Sequence, residues 1–181
     1  MPASSSDAGR ADPVAVLADV LRPGLKVVFC GTRPGTRSAA AGAYYAGPGN
    51  RFWPMLASLG LVPPDFDPRG FETVWRHGIG LTDLCKTSAG PDASIRAGDF
   101  DVAGLAEAVG RAAPARLAFN GKRAAAAALG YPSERLAYGR QPERFAGAVV
   151  HVLPSTSGAA RAAWSPEPWA RLAREILASV G

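Results

Sequence analysis

Short apolar runs alternate with amphipathic segments along most of the chain. Four of the runs have the length and apolar content of buried strands, and they cover residues 25–31, 78–84, 115–119 and 148–153. Apolar side chains at helical spacing predict helices over residues 51–59, 101–112 and 121–129. An Asp-Pro and a Ser-Pro pair predict two more helices, over residues 12–21 and from residue 165 onwards. The last helix should bury one apolar face, made of Trp169, Leu172, Ile176 and Leu177.

Strands that alternate with helices indicate an α/β fold with a mostly parallel sheet that is covered on both faces. At 181 residues the chain has the length of one domain, which we expect over residues 12–181. Residues 1–11 are rich in Ser, Ala, Asp and Gly, and we expect them to form a disordered lead-in. No stretch approaches the roughly 20 apolar residues that span a bilayer, so we expect no association with membranes.

The composition narrows the class of protein. Hydrophobic residues make up 48% of the chain and charged residues 19%, which is enough apolar content for a buried core. The formal net charge of +5 is compatible with a polyanionic partner, although an arginine-rich composition alone could produce it. The only cysteines are Cys30 and Cys85, too few for a four-thiolate iron–sulfur cluster or zinc site. Both lie in apolar segments, which predicts reduced thiols in a cytoplasmic protein.

The loops that follow the four predicted strands carry the candidate chemistry. Ligands of parallel α/β sheets bind beyond the carboxyl ends of the strands, so these loops should lie together. The first loop begins Gly31-Thr32-Arg33-Pro34-Gly35, and its glycines would allow the backbone to approach a ligand closely. The fourth loop, residues 154–161, has three hydroxyl side chains and an arginine. That pattern suits a phosphate group but is also typical of an ordinary turn.

Six sequence blocks occur in order and with compatible spacing. They are Gly31-x-x-Pro34-Gly35, Tyr45-x-Gly47-Pro48-Gly49-Asn50-x-Phe52-Trp53, Gly78-Ile79-Gly80-x-Thr82, Phe119-Asn120-Gly121-Lys122, Gly139-x-Gln141-Pro142 and Pro154-Ser155-x-Ser157. Together, over about residues 20–177, they resemble the mismatch-specific uracil/thymine DNA glycosylases of the uracil-DNA glycosylase superfamily. The resemblance implies a three-layer α/β/α domain that flips uracil or thymine out of DNA and hydrolyses its N-glycosidic bond. It further implies that water is the nucleophile and that neither a metal nor a cofactor takes part.

The resemblance also implies which residues surround the flipped base. It places the Tyr45 ring against the base, where stacking tolerates any planar ring. It places the backbone of Gly31 and Thr32 beside the pyrimidine, where donors could stabilise negative charge on the leaving base. The remaining base-binding positions are Arg33, Asn120 and Ser155. Asn120 could instead cap the helix that follows it.

Arg33 departs from the family pattern, which usually has an asparagine here that positions the attacking water. Arginine cannot accept a hydrogen bond, so we expect Asp83 to be the catalytic carboxylate instead. Asp83 could activate water, stabilise positive charge on the sugar or accept the N3–H of uracil. Alternatively, Asp83 is an N-cap or an ion-pair partner of Arg33, and such a pair would keep the carboxylate ionised.

The resemblance implies DNA-backbone contacts at six positions, namely Arg37, Ser38, Lys122, Thr156, Ser157 and Arg161. Lys122 could equally be a solvated surface lysine. Relatives place a Leu or Arg wedge in the fourth loop, whereas this chain has Ala159. A small side chain poorly fills the space that the flipped base leaves in the DNA. This argues against an activity that depends strongly on a guanine opposite that base. His151 lies within a predicted strand between apolar neighbours, and we expect it in the core.

These observations predict a monomeric, cytoplasmic DNA glycosylase that excises uracil from single- or double-stranded DNA and starts base excision repair. Three alternatives remain open at this point. The chain could be a non-catalytic relative that binds uracil or abasic DNA. It could be a glycosylase for another base, such as hypoxanthine, xanthine or thymine. It could also be an α/β protein whose loops bind a phosphorylated metabolite.

Overall fold

Five strands form one sheet in the computed structural model, which describes residues 14–179. They are β1 (Val27–Gly31), β2 (Ile79–Asp83), β3 (Arg116–Asn120), β4 (Gly139–Phe145) and β5 (Ala148–Leu153), in the spatial order β2-β1-β3-β5-β4. The four predicted strands are confirmed, and they pair in parallel. The fifth strand, β4, pairs antiparallel with β5 at the edge of the sheet. Its polar residues and Pro142 give no strand pattern, and proline is tolerated at a sheet edge.

Helices cover both faces of this sheet, which confirms a mostly parallel, three-layer α/β domain. They are α1 (Thr36–Ala41), α2 (Phe52–Ser58), α3 (Val102–Ala112), α4 (Lys122–Leu129) and α5 (Glu167–Ala178). Side chains of α2 and α5 pack on one face, where Trp169 stacks on Phe29 with ring centroids 5.6 Å apart. Side chains of α3 and α4 pack on the other face, where Leu105 joins Val28 in a second apolar cluster.

The helices begin and end where local signals place them. At the start of α2, the Asn50 side chain accepts a hydrogen bond from the backbone N–H of Phe52. At the start of α3, the Asp101 side chain accepts a hydrogen bond from the backbone N–H of Gly104. Helix α4 ends at Gly130, which has a left-handed backbone. Helix α5 buries three of its four predicted core residues, but Leu177 is 48% exposed, so its placement on the apolar face was wrong. No helix within residues 14–179 is long and apolar enough to cross a membrane.

The predicted N-terminal helix is absent from the part of residues 12–21 that the structure describes. From residue 14 onwards this segment is extended along the outer edge of β2. Val20 and Leu81 exchange two backbone hydrogen bonds of 2.8 and 3.0 Å, and the Val16 N–H donates to the Lys86 carbonyl at 2.8 Å. The open edge of β2 offers hydrogen bonds that local helix signals cannot outweigh. The lead-in expected over residues 1–11 lies outside the described residues.

Two connections matter for the site. The long loop after β1 contains the short helix α1, which the sequence pattern did not predict. After β2 the chain runs through short 3₁₀ turns before α3, and residues 88–94 fold back beside the loop after β1. The backbone N–H of Gly90 donates to the carbonyl of Pro34 at 3.0 Å. We refer to residues 88–94 as the wall segment.

Candidate active site

A cavity of about 910 Å³ opens at the carboxyl ends of the four parallel strands. All four loops that were predicted to converge contribute to its lining. Twelve candidate residues line it: Gly31, Thr32, Arg33, Arg37, Ser38, Tyr45, Asp83, Asn120, Lys122, Ser155, Thr156 and Ser157. Arg161 is not part of the lining and lies exposed in a 3₁₀ turn, Arg161–Ala163. The wall segment also lines the cavity, and sequence reasoning missed it because its Ser, Gly and Pro residues indicate only a turn.

Asp83 is the last residue of β2 and lies opposite Gly31, the last residue of β1. Its side chain is almost fully buried, and its Oδ2 atom has no hydrogen-bond partner within the described chain. A Cβ atom on Gly31 would lie 2.4 Å from Asp83 Oδ1, which is closer than any such contact allows. The carboxylate therefore occupies this position only because residue 31 is glycine.

Burial raises the pKa of the Asp83 carboxyl well above its usual value. Lys86 opposes this rise, whereas the negative charges of Asp19 and Asp92 add to it. The ammonium of Lys86 is held by Asp19, with Nζ 2.6 and 2.7 Å from the two carboxylate oxygens, and by Thr82 Oγ1 at 2.6 Å. Because this cation is already neutralised, Asp83 remains a more basic carboxylate than an exposed aspartate. A carboxylate with a raised pKa is a better proton acceptor than an ordinary aspartate.

Tyr45 occupies the wall of the cavity beside Asp83. Its backbone is left-handed, with φ of 55°, and the preceding Tyr44 carbonyl accepts a 2.7 Å hydrogen bond from the indole of Trp53. One face of the Tyr45 ring stacks on Phe52 with centroids 4.0 Å apart. A flipped base could therefore stack only on the opposite face. The phenolic oxygen is buried and has no hydrogen-bond partner among residues 14–179.

Arg33 does not pair with Asp83, so the suggested ion pair between them was wrong. Its guanidinium donates instead to the wall segment, where the acceptors are the carbonyls of Gly90 and Pro91 and the hydroxyls of Ser88 and Ser94. The distances to Pro91 O and Gly90 O are 2.6 and 3.2 Å. Arg33 thus fastens the wall segment to the loop after β1, and no local sequence signal identifies these acceptors.

Thr32 makes a second connection to the wall segment. Its hydroxyl donates to Asp92 Oδ1 at 2.6 Å, and its carbonyl accepts from the Cys85 N–H at 2.7 Å. Asp92 is exposed and lies at the rim of the cavity. The loop after β1 is therefore held on one side by β2 and on the other by residues 88–94.

Asn120 joins the loops after β3 and β5. Its Nδ2 donates to Thr156 Oγ1 at 2.8 Å, and its Oδ1 accepts from the Thr156 N–H at 3.0 Å. Asn120 therefore does not cap α4, whose N-cap is Gly121 without a side-chain hydrogen bond. Ser155 and Ser157 accept bonds from backbone N–H groups two residues ahead at 3.3 Å, as in ordinary hydroxyl turns.

The rim of the cavity carries the remaining candidate residues. Ser38 is buried in α1, whereas Arg37 is exposed beside it. Lys122 lies at the start of α4 with its ammonium 4.6 Å from the ring centroid of Tyr138.

His151 does not line the cavity. It is buried beside α5, with its Nε2 3.4 Å from Glu175, consistent with its predicted core position. Within residues 14–179, no three His, Cys, Asp and Glu side chains are grouped to hold a metal ion.

A mostly parallel α/β sheet with a cavity at the carboxyl ends of its strands defines a class of α/β domains that bind ligands in their loops. The model of the uracil DNA glycosylase superfamily matches residues 18–176, and the chain belongs to that family. Its fold is similar to a solution NMR structure from Methanosarcina acetivorans, described as a candidate uracil DNA glycosylase, with a TM-score of 0.59 and 24% identity. The similarity covers 91% of this chain and 98% of that chain.

Proposed function

We propose that the protein is a monofunctional uracil-DNA glycosylase of the mismatch-specific type, with Asp83 as its catalytic carboxylate. The observation that carries the proposal is the buried Asp83 side chain with an unpartnered oxygen in the cavity. An oxygen that has no partner within residues 14–179 is available to a water molecule or to the sugar of a bound nucleotide. Membership of the superfamily supplies the reaction class.

In the proposed reaction a water oxygen attacks C1′ of the flipped nucleotide. The bond between C1′ and the base nitrogen breaks, its electron pair leaves with the base, and a proton of the water passes to Asp83. The negative carboxylate also stabilises the positive charge that develops on the sugar. Tyr45 would stack on the base through the ring face that is not covered by Phe52.

The DNA would lie across the rim of the cavity. Arg37 and Lys122 would contact phosphates, as would the backbone of the loop that contains Thr156 and Ser157. These contacts are independent of sequence, so they suit an enzyme that searches DNA for a damaged base.

Base release from oligonucleotides containing uracil tests this proposal, with uracil in a single strand or opposite G or A. We expect the wild type to release uracil. The variant D83N should release it about 10²- to 10⁴-fold more slowly, because this is the usual contribution of a general base. D65N is the matched control because Asp65 is an exposed aspartate outside the cavity. Equal rates for wild type and D83N would contradict the role of Asp83.

Arg33 favours one second candidate, since the residue that usually positions water in this family is absent here. The protein would then bind uracil-containing or abasic DNA without releasing the base. Retained binding with no release from uracil, thymine, hypoxanthine or xanthine substrates would establish this alternative. Release from one of the other three bases would instead redefine the substrate.

A further inference from the structure

Two buried polar atoms in the cavity have no hydrogen-bond partner in the described part of the chain. They are Asp83 Oδ2 and the phenolic oxygen of Tyr45. Buried polar atoms are almost always paired, so each exception needs a reason. Residues 14–179 contain only two other such side-chain atoms, on Arg51 and His151, and neither residue lines this cavity. Two exceptions in one cavity indicate that water or a bound ligand pairs with them.

The Tyr45 hydroxyl and the other oxygen of the same carboxylate, Asp83 Oδ1, border one small space above Gly31. A Cβ atom at residue 31 would lie 2.4 Å from Asp83 Oδ1 and 3.2 Å from the Tyr45 hydroxyl oxygen. The missing side chain of Gly31 thus lets an acceptor and a hydroxyl approach each other from neighbouring loops. Such a pair suits a water molecule, which can donate to the carboxylate and accept from the phenol.

Asn120 lies near the Tyr45 hydroxyl and slightly opposes the rise of its pKa, but both ends of the Asn120 amide are already bonded to Thr156. The ring is fixed by stacking on Phe52, and the backbone before it is held by Trp53. A phenylalanine would make the same ring contacts. Burial and the neighbouring Asp83 raise the pKa of Tyr45 well above its usual value, so the hydroxyl keeps its proton throughout the working pH range.

From this geometry we infer that the Tyr45 hydroxyl, together with the Asp83 carboxylate, holds the attacking water of the hydrolysis. The inference rests on the proposed glycosylase function and adds a second role for Tyr45 besides stacking. The water accepts a hydrogen bond from the phenol and donates one to Asp83. Its remaining lone pair attacks C1′ as the bond to the base breaks. The phenol keeps its proton, and Asp83 receives the proton of the water.

The variant Y45F tests this inference because it removes only the hydroxyl. We expect a fall in the single-turnover rate of about tenfold, the effect of one lost hydrogen bond to the reacting water. The concentration of DNA at half-maximal rate should stay within about twofold, since the stacking face remains. Without the phenol, the water donates a weaker hydrogen bond to Asp83, which raises the pKa of that carboxyl. The acid limb of the plot of rate against pH should therefore move to higher pH. Y131F is the control, because Tyr131 is a partly exposed tyrosine outside the cavity.

Thermal unfolding separates this role from a structural one. The Tyr45 hydroxyl has no hydrogen-bond partner among residues 14–179 that would hold the fold, so Y45F should melt at the same temperature as wild type or higher. Wild-type activity with an unchanged rate and pH profile in Y45F would overturn the inference and leave the glycosylase proposal standing. A lower melting temperature with a matching loss of substrate affinity would also overturn it. Absence of base release by the wild type would overturn both.

Discussion

A buried carboxylate can serve as a base only if one oxygen is open to the substrate. Asp83 meets this requirement through its neighbour in the parallel register, Gly31, which leaves room for Oδ1 where any other residue would place a Cβ. The glycine is therefore needed for its lack of a side chain as well as for close backbone approach to a base. The fit between Asp83 and Gly31 can be tested by a substitution at Gly31 that leaves the Asp83 carboxyl and the Tyr45 hydroxyl in place.

The variant G31A should displace the Asp83 carboxylate, because its Cβ would lie 2.4 Å from Oδ1. Displacement of a catalytic group by about 1 Å costs on the order of 100-fold in rate. We expect a loss of that size in single-turnover base release, while the circular dichroism spectrum stays that of wild type. The control is G110A, since a Cβ at this exposed position in α3 meets no atom within 4 Å. Wild-type rates in G31A would show that Asp83 works from another position.

At the scale of elements, the wall segment is held by hydrogen bonds to the loop after β1, and most of them come from Arg33. Arg33 donates hydrogen bonds to four residues of the segment, and Thr32 holds Asp92 beside them. The segment itself has no strand or α-helix to fix it and is largely exposed. The position of the segment in the cavity is thus set mainly by contacts with the neighbouring loop.

The variant R33M should release the wall segment and leave the sheet intact. Removal of several hydrogen bonds, each worth roughly 0.5–1.5 kcal/mol, should lower the free energy of unfolding by about 1–2 kcal/mol. Hydrogen exchange should become faster in residues 88–94 and stay unchanged in β1, β2 and β3. R135M is the control, because Arg135 is exposed and its side chain makes no hydrogen bond to any of residues 14–179. Unchanged exchange in residues 88–94 of R33M would show that other contacts hold the segment.

Local sequence patterns predict some parts of this structure, whereas contacts between distant residues determine others. The four parallel strands are buried apolar runs, so local pattern identifies them and topology brings their loops together. The segment from residue 14 to 21 and the edge strand β4 owe their conformations to pairing with distant strands, which local signals do not encode. The sequence predicted which residues lie around the cavity, but it did not predict their hydrogen-bond partners. Arg33 and Asn120 bond to residues 36 to 61 positions away, and those pairings depend on how the loops fold.

At the scale of the whole molecule, the catalytic role proposed for Asp83 and the stability of the fold favour different charge states of its carboxyl. The raised pKa of this carboxyl means that the folded protein holds its charged form at a cost in free energy. The folded state binds the proton more tightly than the unfolded chain does, so this cost is greatest above the folded pKa. It disappears as the pH falls through the folded pKa towards the ordinary value of 3.8. His151 acts in the opposite sense, because burial lowers its pKa and its contribution to stability is lost below about pH 6.5.

The variant D83N should therefore be more stable than the wild type at pH 8, by on the order of 1–2 kcal/mol, because it removes an unpartnered buried charge. The gain should shrink as the pH is lowered, since the wild-type carboxyl then becomes neutral too. His151 is present in both proteins, so its effect cancels in the difference between them. Urea unfolding of both proteins at several pH values between 4.5 and 8 measures this difference, with D65N as the control. A stability difference that is independent of pH would mean that Asp83 titrates alike in the folded and unfolded states, so that burial does not raise its pKa.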